Sequence, residues 1–338
     1  MYKQAETIRK IIDAARQVVI IQADNPDADS LGSALALEHI LGDLGKEVQL
    51  YCAVNMPTYL RYMPGWDRVQ SELPRQFDAS IIVDASTMTL LEKLAASGHQ
   101  GWLAAKPCIV LDHHETVDNP IPFSTIEVND HKRASAGELI YLLSKQLDWP
   151  VSRAAQEFLM SSILGDTQGL TNQLASAETY RILAEFIDNG VDRPALEELR
   201  REYSKMPPVI YRYKAELIKR TDLAADGRVA SVTVSQAEIN EYSPLYNPAP
   251  LVQGDMLQTA GVEVAVVFKH YADGKVTGAI RCNARAPVGG QLAEHFGGGG
   301  HAFASGFKIT DGRSLDDIKA DCLQTATDLL DKLPDNDK

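Results

Sequence analysis

Val18-Val19-Ile20-Ile21-Gln22-Ala23-Asp24-Asn25-Pro26-Asp27-Ala28-Asp29-Ser30-Leu31-Gly32-Ser33 is the stretch that decides the fold. Its four leading β-branched residues are apolar on both faces, as in a strand buried within a parallel sheet. Polar turn residues follow, and then the period changes. Leu31, Ala34, Leu35, Leu41 and Leu44 recur at helical spacing, and Gly45 is a suitable helix stop. A strand, a polar turn and a helix in that order make the first half of a βαβ unit.

The same alternation continues on both sides of this segment. Strands are expected at 48–52, 80–83 and 108–111, and helices at 136–146, 153–164 and 177–189, the last ended by Gly190. Residues 1–190 therefore read as an α/β domain, a parallel sheet with crossover helices. Beyond Gly190 the chain turns more polar and Met206-Pro207-Pro208 interrupts the pattern, so 191–212 is expected to be a linker. Residues 213–338 change style. Strands are expected at 228–234, 262–269 and 275–281, with Ala272-Asp273-Gly274 as a hairpin signal between the last two. A Gly-rich loop and a final helix capped by Ser314 complete a smaller α+β domain. The tail containing Asp335 and Asp337 is expected to be disordered.

Two domains suit 338 residues. No apolar run approaches the roughly 18 residues that span a bilayer, and the amphipathic N-terminus lacks a signal-peptide pattern, so no membrane association is expected. Cys52, Cys108, Cys282 and Cys322 have neither metal-type nor redox-type spacing, which suits a reducing cytoplasm. The formal net charge is -13. Tracking along duplex or long single strands calls for a basic stripe. The longest basic clusters, Arg200-Arg201 and Lys219-Arg220, are short and read as solvated helix faces. Small anionic substrates are favoured over long nucleic acid.

The acidic residues fall where chemistry is expected. Asp27 and Asp29 follow the first strand, Asp84 ends Ile81-Ile82-Val83, Asp112-His113-His114 ends Ile109-Val110-Leu111, and Asp166 closes a helical pattern. A lone Asp at a strand end is ordinarily a turn or cap residue. Four segments sending carboxylates and imidazoles to one carboxyl edge of a parallel sheet form a different pattern, because ligands bind at that edge. Such charges repel unless cations lie between them. Carboxylates suit Mg²⁺ or Mn²⁺, and added imidazole tilts the choice towards Mn²⁺.

These segments resemble the DHH phosphoesterase family, in the branch of nanoRNases and phosphoadenosine-phosphate (pAp) phosphatases that carry a DHH-associated C-terminal domain. The matching runs are 25–33, Val83-Asp84, Asp112-His113-His114, Gly165-Asp166-Thr167 and Ala293-Glu294-His295-Phe296-Gly297-Gly298-Gly299-Gly300-His301, in the family's order. The resemblance implies two divalent ions, Asp27 belonging to one site, Asp29, His113 and Asp166 to the other, and Asp84 bridging them. It implies that His114 contacts phosphate or supports the metal ligands, and that Asp112 orients the histidine pair. Arg281 with Gly298, Gly299, Gly300 and His301 would clamp the substrate, the glycines as an anion nest and the guanidinium as a bidentate grip. The active site is then expected in a cleft between the domains.

The family usually has His where Ala23 stands, so Asp24 or water is the expected substitute, and Ala279-Ile280-Arg281-Cys282 keeps the cation of a motif that usually has Ser on either side. His39, His99, His131 and His270 are not expected to be ligands. The implied activity is hydrolysis of short oligoribonucleotides or of small nucleotides such as pAp and linear dinucleotides. A cyclic dinucleotide phosphodiesterase and a non-catalytic nucleotide-binding protein with a degenerate first site remain alternatives. A homodimer is compatible with the sequence.

Overall fold

The computed structural model describes residues 1–114, 119–243 and 246–334. The tail with Asp335 and Asp337 lies outside them. The chain divides into two compact units at Lys205 and Met206.

The first unit runs α1 (Ala5–Ala14), β1 (Gln17–Ile21), α2 (Ala28–Asp43), β2 (Glu47–Tyr51), β3 (Ala79–Val83), α3 (Glu92–Ala96), α4 (Gln100–Ala104), β4 (Cys108–Asp112), β5 (Ile126–Asn129), α5 (Ala136–Gln146), α6 (Arg153–Asp166), α7 (Ala177–Asp188) and α8 (Arg193–Tyr203). Its sheet has the order β2-β1-β3-β4-β5 and is parallel throughout. The chain reverses direction across the sheet between β1 and β3, and the carboxyl ends flanking such a point form a natural crevice.

The apolar runs are buried on both faces, as their composition demands. Val18, Ile20, Ile81 and Ile109 pack with α2, α5 and α6, whereas Val19, Ile21, Ile82 and Val110 pack on the opposite side with Met88, Leu91, Leu94 and Leu103. Helix α2 is buried on nearly every side. Leu31, Leu35, Leu37, Ile40 and Leu41 are at most 1 % exposed, each worth about 1.5–3 kcal/mol of burial. Close approach of α6 requires glycine in α2, because a Cβ at Gly32 would lie 2.7 Å from the Phe158 carbonyl oxygen.

The second unit runs α9 (Pro208–Lys219), β6 (Asp222–Ala224), β7 (Val229–Ser235), α10 (Gln236–Tyr242), α11 (Pro248–Leu257), β8 (Val264–His270), β9 (Val276–Cys282), α12 (Gly289–His295), β10 (Gly299–His301), β11 (Ala304–Ile309) and α13 (Leu315–Leu330). Its mixed sheet has the order β10-β11-β9-β8-β7-β6. The expected hairpin joins β8 to β9, with Gly274 at a φ of 81°. Ser314 caps α13 by accepting from the Asp317 N–H.

The stretch 191–212, expected to be a linker, is mostly helical. It contains α8, with Pro194 in its first turn and Asp192 as its cap, and the start of α9. Met206 and Pro207 are what separates them, because proline restricts the residue before it to extended backbone. Among the described residues no helix is long and apolar enough to cross a membrane.

Candidate metal centre

The site is assembled from the ends of β1, β3 and β4 and from helices α2, α5 and α6. Asp29, in the first turn of α2, is fully buried. Its Oδ1 accepts from Ser33 Oγ at 2.9 Å, Ser162 Oγ at 2.6 Å and the Gly137 N–H at 3.1 Å. Its Oδ2 accepts from the Ala136 N–H at 2.7 Å. The carboxylate thus sits on the N-terminus of α5, where backbone donors and the helix dipole favour a negative charge.

Asp84 leaves β3 with a φ of 57°, a left-handed conformation that Asp tolerates better than most side chains. His113 follows β4 directly. Its Nε2 lies 3.0 Å from Asp166 Oδ2, 3.4 Å from Asp29 Oδ2 and 3.6 Å from Asp84 Oδ1. Three carboxylate oxygens therefore surround one imidazole nitrogen, yet both Nε2 and Asp84 Oδ1 are buried without an aligned hydrogen-bond partner. On the other side of the His113 ring, Nδ1 lies 3.3 Å from the Arg133 carbonyl oxygen, which orients it.

Asp112 is also fully buried, and all its contacts are internal. It accepts from the His113 N–H at 2.8 Å and from Ser86 Oγ, and its Oδ1 lies 2.8 Å from His114 Nδ1. His114 is 47 % exposed, so Asp112 holds one end of an imidazole whose other end faces outward.

The electrostatics follow from crowding. Burial, and next the Asp29 charge, push the Asp84 carboxyl well above the usual carboxylate range. The same two causes raise Asp166 and Asp27. Burial opposes charge on His113, but the Asp166 and Asp84 carboxylates outweigh it and raise its pKa. The hydrogen bond to Asp112 raises His114. Like charges at this density require compensation by protons or cations. Among the described residues, two groups of three ligand atoms are close enough to hold an ion, Asp29-His113-Asp166 and Asp84-His113-His114.

Asp27 stands close enough to the cluster for its charge to act on Asp84 and Asp166. Asp27 caps α2, its Oδ1 accepting from the Ser30 N–H at 3.0 Å, and belongs to neither three-residue group. Ala23 lies in the apolar cluster with Ile21, Tyr51 and Ala85. Asp24, the expected substitute, has its Oδ2 bound to the Lys93 N–H at 2.7 Å, while its Oδ1 is buried without a hydrogen-bond partner.

In the second unit the glycine run is not the open nest expected. The N–H groups of Gly297 and Gly298 are spent on the Glu294 and Ala293 carbonyls, which close α12, and Gly299-Gly300-His301 is strand β10. The glycines answer to packing: a Cβ at Gly298 would lie 2.2 Å from the Gly306 carbonyl oxygen, and Gly300 has a φ of 130°. Arg281 is exposed and donates to the Ile280 carbonyl. Register puts Arg281 of β9, Ala304 of β11 and His301 of β10 in one row. The His301 side chain lies outside the described atoms.

Sequence reasoning missed the residues that hold the ligands in place: Ser33, Ser162, Ser86 and the Ala136 and Gly137 amides. Ser135, which caps α5, was the one available signal, since a Ser three residues before a Glu marks a helix start.

Comparison with known proteins agrees with this architecture. Residues 17–163 match the DHH family, N-terminal domain, and residues 248–331 match the DHHA1 domain. The probable bifunctional oligoribonuclease and PAP phosphatase NrnA of Streptococcus mutans is 25 % identical over 302 residues, 89 % of this chain and 92 % of that one. The bifunctional oligoribonuclease and PAP phosphatase NrnA of Bacillus subtilis is 22 % identical over 307 residues, 90 % of this chain and 93 % of that one. An exopolyphosphatase-related protein from Bacteroides fragilis has the same fold, with a TM-score of 0.84 at 20 % identity, covering 98 % of this chain and all of the other. With both domains matched in order, the chain carries a DHH family N-terminal domain followed by a DHHA1 domain.

Proposed function

We propose that the protein is a metal-dependent phosphoesterase that hydrolyses short oligoribonucleotides or small nucleotides such as pAp and linear dinucleotides. The observation that carries this reading is His113 Nε2 enclosed by the Asp29, Asp84 and Asp166 carboxylates within 3.6 Å. Nucleotide hydrolysis is favoured because relatives spanning about nine-tenths of this chain are named oligoribonuclease and PAP phosphatase.

The donor set fits divalent cations. It is made of carboxylate oxygens and imidazole nitrogen, and two of its buried atoms, Asp84 Oδ1 and His113 Nε2, lack aligned partners. Asp29, Asp166 and His113 would hold one ion, and Asp84 would be shared with a second ion near Asp27 and His114. This mixture of ligands suits Mn²⁺, with Mg²⁺ as the harder alternative. Such ions would neutralise charge on the phosphoryl oxygens and make a water more nucleophilic at neutral pH.

The chain's own groups do the rest. Asp29 is held rigid by four donors, so its ligand geometry is built before substrate arrives. Asp112 is a positioning residue that fixes His114 through Nδ1, and the free end of that imidazole is available to a phosphate oxygen. Arg281, exposed on the second unit, would grip a terminal phosphate. Four buried, unpaired cysteines suit a reducing cytoplasm.

Incubating the purified protein with Mn²⁺ and pAp, linear di-adenylate, cyclic di-adenylate or a longer RNA tests the reading. Turnover of the short linear substrates, abolished by a chelator, is expected. Absence of turnover on every substrate by metal-loaded protein would overturn it. It would leave the second reading, nucleotide binding without catalysis, which the apolar packing of Ala23 favours.

A further inference from the structure

Beside the carboxylate cluster, within the first unit, a cleft of about 510 Å³ opens between the start of α2, the end of α6 and helix α8. That volume lies in the range of about 300–1,000 Å³ typical of small-molecule sites. Its inner wall includes Ala28 and Gly165. Ala28 is the chain neighbour of Asp29, and Gly165 the chain neighbour of Asp166, so two backbone segments that carry ligands of the candidate centre also wall the cleft. The outer wall is cationic. Arg193, Arg200 and Arg201 project from α8, and the one acidic residue lining the cleft is Glu197. Arg200 is bound to Glu197 at 2.8 Å, whereas Arg193 and Arg201 have no ion pair among the described residues. All three guanidinium groups act on the Glu197 carboxyl and hold it below its usual range, the Arg200 hydrogen bond foremost. Three arginines against one carboxylate leave the wall of this cleft net positive in a chain with a net charge of -13, which suits an anion.

The remaining walls suit a nucleoside. Tyr59 is 48 % exposed and its hydroxyl donates to the Pro26 carbonyl at 3.3 Å, which fixes the ring at the cleft's edge. Gln168, Gly169 and Leu170 are consecutive left-handed residues with φ values of 51°, 74° and 72°. Non-glycine residues in that conformation carry strain that concentrates at functional sites. Here the turn is pinned by the Leu170 N–H to Thr167 Oγ1 and by Asn172 Nδ2 to the Asp166 carbonyl. It presents Gln168 to the cleft as a donor and acceptor.

We infer that this cleft is a subsite for a second nucleotide unit of the substrate, with Arg193 and Arg201 on its phosphate and Tyr59 against its base. The inference rests on the phosphoesterase reading. It gives the chain a means of favouring a linear dinucleotide over pAp, which has no second nucleoside. The Arg200-Arg201 pair is then not merely a solvated helix face.

The test compares Arg193→Gln/Arg201→Gln with wild type and with Arg16→Gln, a solvent-exposed arginine before the opposite end of β1. KM for linear di-adenylate should rise about tenfold in the double variant, as expected for lost charge-assisted contacts, and KM for pAp should rise much less. Arg16→Gln should leave both unchanged. Equal effects on the two substrates, or none, would overturn the subsite while leaving the phosphoesterase reading intact. If wild type hydrolyses neither substrate, that reading fails, and anisotropy of fluorescently labelled linear di-adenylate decides separately. Binding by wild type that the double variant loses keeps the subsite, and absence of binding by wild type removes it.

Discussion

The carboxylate of Asp29 accepts the backbone N–H of Ala136 at 2.7 Å, although the two residues are 107 positions apart in the chain. The same carboxylate binds Ser33 and Ser162 and lies 3.4 Å from His113 Nε2. One buried group thus joins α2, α5 and α6 and forms one wall of the candidate metal centre. Asp29→Asn replaces one acceptor oxygen with a donor facing donors. Urea denaturation should report a loss of about 2–4 kcal/mol from the first unit, on the scale of unsatisfied buried polar groups, together with weaker metal uptake. Unchanged stability would contradict the joining role.

Asp84 bears both on the centre and on a left-handed turn, so two substitutions separate the effects. Asn tolerates that backbone conformation and Ala does not, at a difference of about 1 kcal/mol. Both Asp84→Asn and Asp84→Ala should lower turnover at least about a thousandfold, as when a charge-stabilising group is removed. Only the Ala variant should lose stability as well. Metal content by elemental analysis should fall in both. Wild-type turnover in either would remove Asp84 from the centre.

Gly32 and Gly42 lie in the same helix and should respond in opposite directions. A Cβ at Gly32 meets the Phe158 carbonyl oxygen at 2.7 Å, whereas a Cβ at Gly42 meets nothing within 4 Å. Alanine gains helix propensity at both positions, by up to about 1 kcal/mol. Gly42→Ala should therefore stabilise the protein. Gly32→Ala should destabilise it by about 1–3 kcal/mol, because overpacking against backbone outweighs propensity. Thermal unfolding of both variants checks the signs.

Asp78 provides a pH-dependent test away from the site. Its Oδ2 accepts from the N–H groups of Arg16 and Gln17, each at 2.9 Å, which ties the start of β1 to the approach to β3. The Gln17 and then the Arg16 backbone bonds hold its carboxyl below the usual range. A depressed carboxyl pKa in the folded state gives stability that is present above the unfolded value and is lost as pH falls through the folded one. Wild type should exceed Asp78→Asn in stability at neutral pH, and the gap should close below about pH 4. A gap that persists in acid would mean the charge is not responsible.

Much of the fold was legible because it rests on local periodicity. Val18 to Ile21, Ile81 to Val83 and Ile109 to Leu111 read as buried strands, and the helices expected at 136–146 and 153–164 are α5 and α6. Strand β5 escaped, because Ile126-Glu127-Val128-Asn129 is short and half polar, and it is a strand only by pairing with β4. Helix α8 escaped because no residue in it is buried, so no apolar stripe marked it.

For the site, the sequence alone determined where carboxylates and imidazoles follow strand-like runs, which is visible without coordinates. Only the tertiary structure decided what each carboxylate does. Asp27 is a helix cap, Asp29 is a buried junction facing His113, Asp24 is engaged by Lys93, and Gly297 and Gly298 close a helix instead of cradling an anion. The reason is physical: a carboxylate's role depends on which donors surround it, and those donors, Ala136, Gly137 and Ser162 for Asp29, come from chain more than a hundred residues away.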